Sequence, residues 1–285
     1  MHYKERDILK VVRPLFLDEL RSELEGIRGD RSTRRSARLE EFHEKICGLR
    51  FLDPACGCGN FLVVTYRELR ALELEVLQEL FGGAHGAERG TQRELSLDEI
   101  NRLSRVDVDQ FYGIEISEWP ARIAEVAMWL MDHQMNLKVS EAFGQLYQRL
   151  PLKKSPTIVC GNALRVDWKE ILAPGRCSYV LGNPPFVGKK EQNAAQTADM
   201  DLLFGNVKGA GVLDYVCSWY RKAAEFIQGT KISVGFVSCS FLKTAELAGG
   251  HAHGRAEGPA ESAVVIEAAF LGDVGYGTIG FAQET

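Results

Sequence analysis

The first third of the chain carries apolar residues at helical spacing, interrupted by one short apolar run of strand character. Residues 7–26 place apolar side chains every three or four positions, which predicts an amphipathic helix. Residues 39–47 predict a second helix, which leads into the strand-like run LRFLD. A long helix is predicted over residues 61–80, and it ends at the glycine-rich FGGAHG.

The middle of the chain alternates strand-like and helix-like segments. Four further strands are predicted in DQFYGIEI, PTIVCGNAL, CSYVLGNPPF and KISVGFVS. Helices are predicted at 96–103, in WPARIAEVAMWLMDHQMN with Pro120 in the first turn, at 168–172, and in LDYVCSWYRKAAEFI. Residues 188–211 are rich in Gly, Asn, Gln and Ala and predict a loop. This alternation predicts a doubly wound α/β fold, with a mainly parallel sheet and helices on both faces.

Three regions follow from these patterns. Residues 1–48 form an N-terminal helical segment, residues 49–240 the core, and residues 241–285 a divergent tail. The tail contains ELAGGHAHGRAEGPAESA, whose low apolar content predicts disorder or poor packing. The apolar AVVIEAAFLGDVGYGTIGF near its end predicts one or two strands.

Composition narrows the functional classes. The chain has 285 residues, is 45% hydrophobic, and carries a formal net charge of −5, so its overall charge does not indicate a nucleic-acid binder. Neither a membrane-length apolar run nor a signal-peptide pattern occurs, so we expect a cytoplasmic protein without a membrane partner. One basic stretch, residues 28–38, is either a solvated linker or an arm that contacts phosphates.

Seven cysteines at irregular spacing favour free, buried thiols over a disulfide framework. Cys56 and Cys58 flank Gly57 but have no second ligand pair nearby, so we expect no metal.

A glycine-rich turn, DPACGCGNF, follows the first predicted strand. Gly57 and Gly59 are expected to take positive φ and to let a ligand approach the backbone. Asn60 and Phe61 then begin a helix, whose free N–H groups favour a carboxylate or phosphate. Asp53 ends the strand, where its carboxylate can accept a hydrogen bond from an ammonium group. The turn therefore predicts a ligand site at the carboxyl end of the sheet.

Glu115 ends the second predicted strand, where folds of this kind bind ribose hydroxyls. The alternative is a surface charge at a strand end. The interval from Asp53 is much longer than the roughly 20 residues of a dinucleotide unit, which makes the helix predicted at 96–103 an insertion.

NPPF ends the fourth predicted strand. Pro184 and Pro185 hold the backbone extended and leave the Pro184 carbonyl available to the site. That carbonyl and the side-chain oxygen of Asn183 provide two acceptors for one amino group, and Phe186 provides a face for a planar base. Such an arrangement holds both N–H bonds of an exocyclic amine and turns its lone pair outward, as nucleophilic attack requires.

With D-x-x-x-G-x-G, a strand-end Glu and NPPF in this order, the chain resembles an S-adenosylmethionine-dependent amino-methyltransferase. More closely it resembles the DNA N6-adenine methyltransferase domain of MmeI-type fused restriction-modification and phage-defence enzymes. The segments that carry the resemblance are HYKERDILKVVRPLFLDEL, LDPACGCGNFLVVTYRELRALELEVL, LGNPPFVGKKEQ and LDYVCSWYRKAAEFI, within about residues 2–240. It implies a Rossmann-like class I methyltransferase fold, incomplete at its C-terminus.

The resemblance also implies site residues and partners. S-adenosylmethionine is the implied cofactor, and double-stranded DNA with a flipped adenine is the implied substrate. Asn183 and Pro184 would hold the target amine and, with Pro185 and Phe186, form the catalytic motif. The implied cofactor-binding residues are Asp53, Ala55, Gly57, Gly59 and Asn60 in the loop, Glu115 and Ile116 at the ribose, and Asn162 at the adenine amino group.

Departures from the family leave alternatives open. Members are far longer, with an upstream nuclease and a downstream target-recognition region that this chain lacks. Lys4 follows Tyr3 where the family has Thr, and the pattern ends after GFVSCSF, which suggests a truncated or frameshifted tail. The alternatives are methylation of an RNA base or a glutamine amide, and a non-catalytic remnant. Cytosine N4 is a weaker rival because its motif more often begins with Ser.

Overall fold

The described parallel strands of this protein have their carboxyl ends along one edge of a sheet. The computed structural model describes residues 5–82, 104–143, 155–207, 210–239, 261–267 and 280–281. Its strands are β1 (Phe51–Asp53), β2 (Phe111–Glu115), β3 (Thr157–Cys160), β4 (Tyr179–Gly182), β5 (Ser233–Cys239), β6 (Glu261–Glu267) and β7 (Gly280–Phe281). The first five confirm the strands predicted from the sequence.

In the described residues, these seven strands form a sheet of order β3-β2-β1-β4-β5-β6-β7. Strands β1 to β5 pair in parallel, and β6 and β7 add antiparallel strands. The chain moves outward from β1 to β3, returns to β4 beside β1, and continues outward the other way. The order therefore reverses between β1 and β4, which opens a crevice for ligands at their carboxyl ends.

Helices cover both faces of the sheet, as the sequence predicted. They are α1 (Glu5–Val12), α2 (Asp18–Arg28), α3 (Arg35–Gly48), α4 (Asn60–Leu77), α5 (Glu118–Phe143), α6 (Trp168–Ile171), α7 (Ala194–Phe204) and α8 (Cys217–Ile227). Helices α1 to α5 share one buried cluster with Phe51 and Leu181, and α6 to α8 share the other with Leu52 and Val180. Neighbouring strand residues thus face opposite layers, as the two-residue period of a strand requires.

Three aromatic rings stack across the beginnings of the parallel strands. Phe51 is in register with Phe111 on β2 and with Tyr179 on β4. The ring centroids lie 5.0 Å apart for the first pair and 5.6 Å for the second, with nearly parallel planes. Phe16 packs on Phe51 at 5.2 Å. These contacts join the N-terminal helices to the end of the sheet that lies opposite the crevice.

The helix predicted at 7–26 is divided in the structure. Helices α1 and α2 are joined by a π-helical turn, Arg13–Leu17, that contains Pro14. Proline has no N–H to continue the hydrogen-bond ladder, which explains the local change of pitch. Helix α4 likewise ends in a π-helical turn, Gln78–Gly82.

The basic stretch at 28–38 forms ion pairs with acidic side chains. Arg28 Nη2 lies 3.0 Å from Glu75 Oε2 and Arg28 Nε lies 3.2 Å from Glu79 Oε1. Arg35 also pairs with Glu79, and Arg38 Nη1 lies 2.7 Å from an Asp30 oxygen. The pairs of Arg28 and Arg35 hold α2 and α3 against α4 and the turn that follows it, so the stretch is more than a solvated linker.

The predicted loop at 188–211 is wrong, because α7 occupies much of it. The Asn193 side chain accepts a hydrogen bond from the Gln196 backbone N–H at 2.9 Å, and the Gln196 side-chain Oε1 accepts one from the Asn193 backbone N–H at 3.0 Å. This capping box begins the helix, and the buried side chains of Met200 and Phe204 hold it to the core. The sequence did not indicate a helix here because the apolar residues of 194–204 follow a helical period only weakly.

Replacing Asn193 by alanine is expected to lower the free energy of unfolding by about 1 kcal/mol, because the first turn of α7 loses its side-chain acceptor. Urea unfolding measures the change. Asn193→Ser keeps an acceptor and should stay within a few tenths of a kcal/mol of the wild type. Equal loss in both variants would show that the cap does not stabilise α7.

The tail supplies the strands predicted for it. Strand β6 begins at Glu261, two residues before the predicted apolar segment, and β7 is short. The predicted helix at 96–103 and nearly all of the stretch predicted to be disordered lie outside the described residues. Among the helices described, none combines the length and apolar character needed to span a bilayer.

Candidate active site

Asp53 and Gly182 meet where β1 and β4 end. A Cβ atom built on Gly182 would lie only 2.4 Å from Asp53 Oδ1, and the Gly182 φ of +153° also favours glycine. Only glycine therefore lets the Asp53 carboxyl lie against β4, immediately before Asn183. Sequence patterns did not identify Gly182, although it precedes NPPF directly.

The loop between β1 and α4 has the predicted backbone. Gly57 has a φ of +53° and Gly59 a φ of +83°, which confirms the expected positive values. A Cβ on Gly59 would lie 3.0 Å from the Ala124 Cβ, so this glycine also permits the close approach of α5. The Cys56 N–H donates to the Ile114 carbonyl at 3.1 Å, which ties the loop to β2.

The Asp53 carboxyl is almost completely buried, with 1% of its surface exposed. Its Oδ1 accepts a hydrogen bond from the Ala55 N–H at 3.0 Å. Burial raises the pKa of Asp53 to about 8; the Glu115 charge adds to the rise, and the Ala55 hydrogen bond opposes it. Near neutral pH this carboxyl is therefore largely protonated, and a cation placed beside it would favour the ionised form.

Glu115 contacts the glycine loop. Its Oε2 accepts from the Gly57 N–H at 3.1 Å, and its Oε1 accepts from the Ser117 N–H at 2.9 Å. These bonds tie the Glu115 carboxylate to the loop, and each oxygen keeps a second lone pair that could accept from a ligand hydroxyl. Ile116 beside it is 65% exposed and offers an apolar surface at the same edge.

Asn162 follows β3 and is held at both ends of its amide. Its Oδ1 accepts from the Leu164 N–H at 2.9 Å, and its Nδ2 donates to Asp199 Oδ2 at 2.9 Å. The Gly161 N–H donates to the Glu115 carbonyl at 2.8 Å, which places Asn162 at the same edge as Glu115. Asp199 lies on α7, within the segment predicted to be a loop, so sequence patterns did not indicate this partner.

The NPPF segment presents one unsatisfied acceptor. Asn183 Oδ1 is buried and has no hydrogen-bond partner among the described residues. Pro184 is buried, whereas Pro185 and the Phe186 ring are exposed, the latter by 37%. A buried acceptor without a donor is costly, so this oxygen is a place where a ligand N–H would be stabilised.

Helix α8 supports the glycine loop from the second face. The Trp219 indole N–H donates to the Pro54 carbonyl at 3.0 Å. The Tyr215 N–H donates to the Val187 carbonyl at 3.0 Å, one residue after Phe186. Both residues belong to LDYVCSWY, a segment that the sequence identified as a helix without indicating these contacts.

The cysteines around the site differ in exposure. Cys56 is buried, and a Cβ on Gly113 would lie 2.8 Å from its Sγ, so this thiol fills space over β2. Cys58 in the loop and Cys160 at the end of β3 are exposed. The sequence-based expectation of buried thiols is therefore wrong for Cys58 and Cys160.

One group of potential metal ligands lies between α3 and α4. Atoms of His43, Cys47 and Glu73 lie within 4.8 Å of one another. Glu73 already accepts from Arg70 at 2.7 Å and from Ser104 at 3.0 Å, and burial raises the pKa of the Cys47 thiol to about 12. A protonated thiol and an engaged carboxylate indicate a buried hydrogen-bond network rather than a cation site.

The predicted site residues thus come together along one edge of the sheet. Asp53 ends β1 and the glycine loop follows it, Glu115 ends β2, Asn162 follows β3, and Asn183 follows β4. A reversal of strand order beside a positive-φ glycine loop and strand-end acids is the arrangement of a doubly wound, Rossmann-like fold with a ligand crevice at this edge, and it agrees with the class I methyltransferase fold that the resemblance implies.

A family model for the MmeI DNA-methyltransferase domain matches residues 29–247, which is more than half of the chain. The chain belongs to this family.

Two relatives describe the extent of the likeness. DNA methyltransferase A of Bacillus subtilis strain 168 is 37% identical over 251 residues, which cover 86% of this chain and 26% of that protein. The structure of the Type IIL restriction-modification enzyme MmeI in complex with DNA has a TM-score of 0.77 and 44% identity. The structural match covers 93% of this chain and 36% of the MmeI chain. This chain therefore spans about a third of MmeI and about a quarter of the Bacillus protein.

Proposed function

We propose that this chain transfers a methyl group from S-adenosylmethionine to the N6 amino group of adenine in double-stranded DNA. The observation that carries the proposal is the buried Asn183 Oδ1, which has no hydrogen-bond partner among the described residues and directly follows Gly182, the residue that lies against Asp53. Family membership supports a DNA substrate, and MmeI was solved in complex with DNA.

The residues present fit the cofactor. A methionine ammonium would lie near Asp53, and its carboxylate near the exposed backbone at the start of α4. Ribose hydroxyls would donate to the free lone pairs of Glu115, with Ile116 against the adenine and Asn162 at its amino group. Ala55, Gly57, Gly59 and Asn60 would line the methionine end.

Asn183 and the Pro184 carbonyl would accept the two N6–H bonds of an adenine that has left the duplex. Phe186 would stack on the base, for which its exposed ring is available. S-adenosylmethionine would supply the methyl group from its sulfonium when bound. Asn183 and the Pro184 carbonyl would hold the amine so that its lone pair faces that methyl group, and the proton displaced from the nitrogen would pass to solvent. Positioning and hydrogen bonding would provide most of the rate.

The same two acceptors would serve an RNA base, a glutamine amide or cytosine N4. Adenine in DNA is favoured by family membership and by Asn at the first motif position. We also place the reaction in the cytoplasm, where DNA is the substrate and reducing conditions suit the free thiols found in the described residues.

Methyl incorporation tests the proposal. The purified chain is incubated with tritiated S-adenosylmethionine and, separately, mixed-sequence DNA, total RNA or a glutamine peptide, and digested DNA is resolved into nucleosides. Label in N6-methyladenine is the expected result. Label in N4-methylcytosine, RNA or peptide would replace the substrate assignment. Cofactor binding without any incorporation would support the non-catalytic alternative.

A further inference from the structure

We infer that Asp199 is a positioning residue that makes the site selective for a 6-aminopurine in the cofactor, an inference that rests on the proposed function. Asp199 is 2% exposed and lies on α7, after the NPPF motif. Its Oδ2 accepts from Asn162 at 2.9 Å and from the Tyr215 hydroxyl at 2.7 Å, while its Oδ1 accepts from Arg165 at 2.7 Å.

These bonds keep the carboxylate ionised. Burial by itself would raise the pKa of Asp199, but the hydrogen bonds from Asn162, Tyr215 and Arg165 outweigh it and hold the pKa below its usual value. An ionised carboxylate only accepts hydrogen bonds, so it must face the NH₂ end of the Asn162 amide.

The orientation of Asn162 follows from this contact. With Nδ2 held by Asp199 and Oδ1 held by the Leu164 N–H, the amide cannot exchange its ends without losing both bonds. Oδ1 keeps a lone pair, and an exocyclic amino group can donate to it. A 6-oxo group at the same position would place two acceptors against each other. Asp199 therefore acts on the ligand through Asn162.

The Asp199 carboxylate also connects the proposed cofactor side of the site, at Asn162, with the proposed target-base side, at Phe186. Tyr215 contacts Asp199 through its hydroxyl and Val187 through its backbone N–H. The residue that orients the cofactor side is thereby connected to the segment that follows Phe186. A purely structural role would dock α7 without affecting which purine is bound.

Calorimetric titration with S-adenosylhomocysteine and with its 6-oxo analogue, S-inosylhomocysteine, separates these roles. The wild type is expected to bind the 6-amino ligand about 10-fold more tightly, as one hydrogen bond allows. Asp199→Asn can also donate to Asn162, so the reversed amide then loses only the Leu164 bond instead of both, and the affinity ratio should fall toward one. Tyr215→Phe removes another donor to the same oxygen but keeps the Asn162 contact, so its ratio should match the wild type.

Circular dichroism checks folding, and Asp199→Ser replaces Asp199→Asn if the latter does not fold. A folded Asp199 variant that keeps the wild-type ratio would overturn the inference, as would a wild type that binds both ligands equally. A folded wild type that binds neither ligand would overturn the proposed function, and the inference with it.

Discussion

Asn183→Ala is expected to lower the rate of methyl transfer by about 10²–10³-fold, the usual effect of removing one hydrogen-bonding group that acts in the transition state. In the wild type, the buried Asn183 Oδ1 has no donor among the described residues and is available to the target amine. Its removal leaves one N–H of the amine unheld, so the lone pair stays conjugated with the base. Single-turnover kinetics with labelled cofactor measures this step.

Two comparisons make the result specific. Cofactor affinity should be nearly unchanged in Asn183→Ala, because the methionine and ribose contacts lie after β1 and β2. Asn183→Asp keeps an acceptor at the same place and should retain more activity than the alanine variant. Full activity in Asn183→Ala would show that the amine is held elsewhere, and equal loss of cofactor binding would indicate a folding defect.

The second large effect concerns Asp53 and pH. Its pKa rises from an ordinary value of 3.8 to about 8 in the folded protein. Between these values the folded state binds more protons than the unfolded state, so stability falls as pH rises from about 4 to about 8 and levels off above. Asp53→Asn removes this dependence. The variant should be more stable than the wild type at pH 9, on the order of a few kcal/mol, with little difference at pH 4.

The affinity for the cofactor should change with pH in the direction opposite to the stability. An ammonium group beside Asp53 favours the carboxylate, so binding releases a proton, and wild-type affinity should increase between pH 6 and pH 8. Asp53→Asn should bind about 10–100-fold more weakly at pH 8, because a charge-assisted hydrogen bond is lost. Calorimetry in buffers of different ionisation heat measures both affinity and proton release. Unchanged affinity in a stabilised variant would place the ammonium away from Asp53.

The sequence predicted the parts of the site that depend on local geometry. Positive φ at Gly57 and Gly59 and the positions of Glu115 and Asn183 at strand ends follow from short patterns and from the alternation of elements. Asp199 and Trp219 were missed because they act on residues far away in sequence: Trp219 contacts Pro54 across 165 positions. The need for glycine at position 182 becomes visible only in the folded sheet, where β4 lies beside β1 and Gly182 contacts Asp53.

The exposed thiols of Cys58 and Cys160 allow chemical labelling beside the candidate site. Cys58 lies in the glycine loop, and Cys160 is in register with Glu115 at the end of β3. A maleimide dye can therefore be attached at the candidate site without introducing a cysteine. A ligand that covers the loop would slow labelling of Cys58, while the buried Cys56 stays unlabelled until the protein unfolds. Occupancy and integrity of the site can thus be followed separately with one reagent.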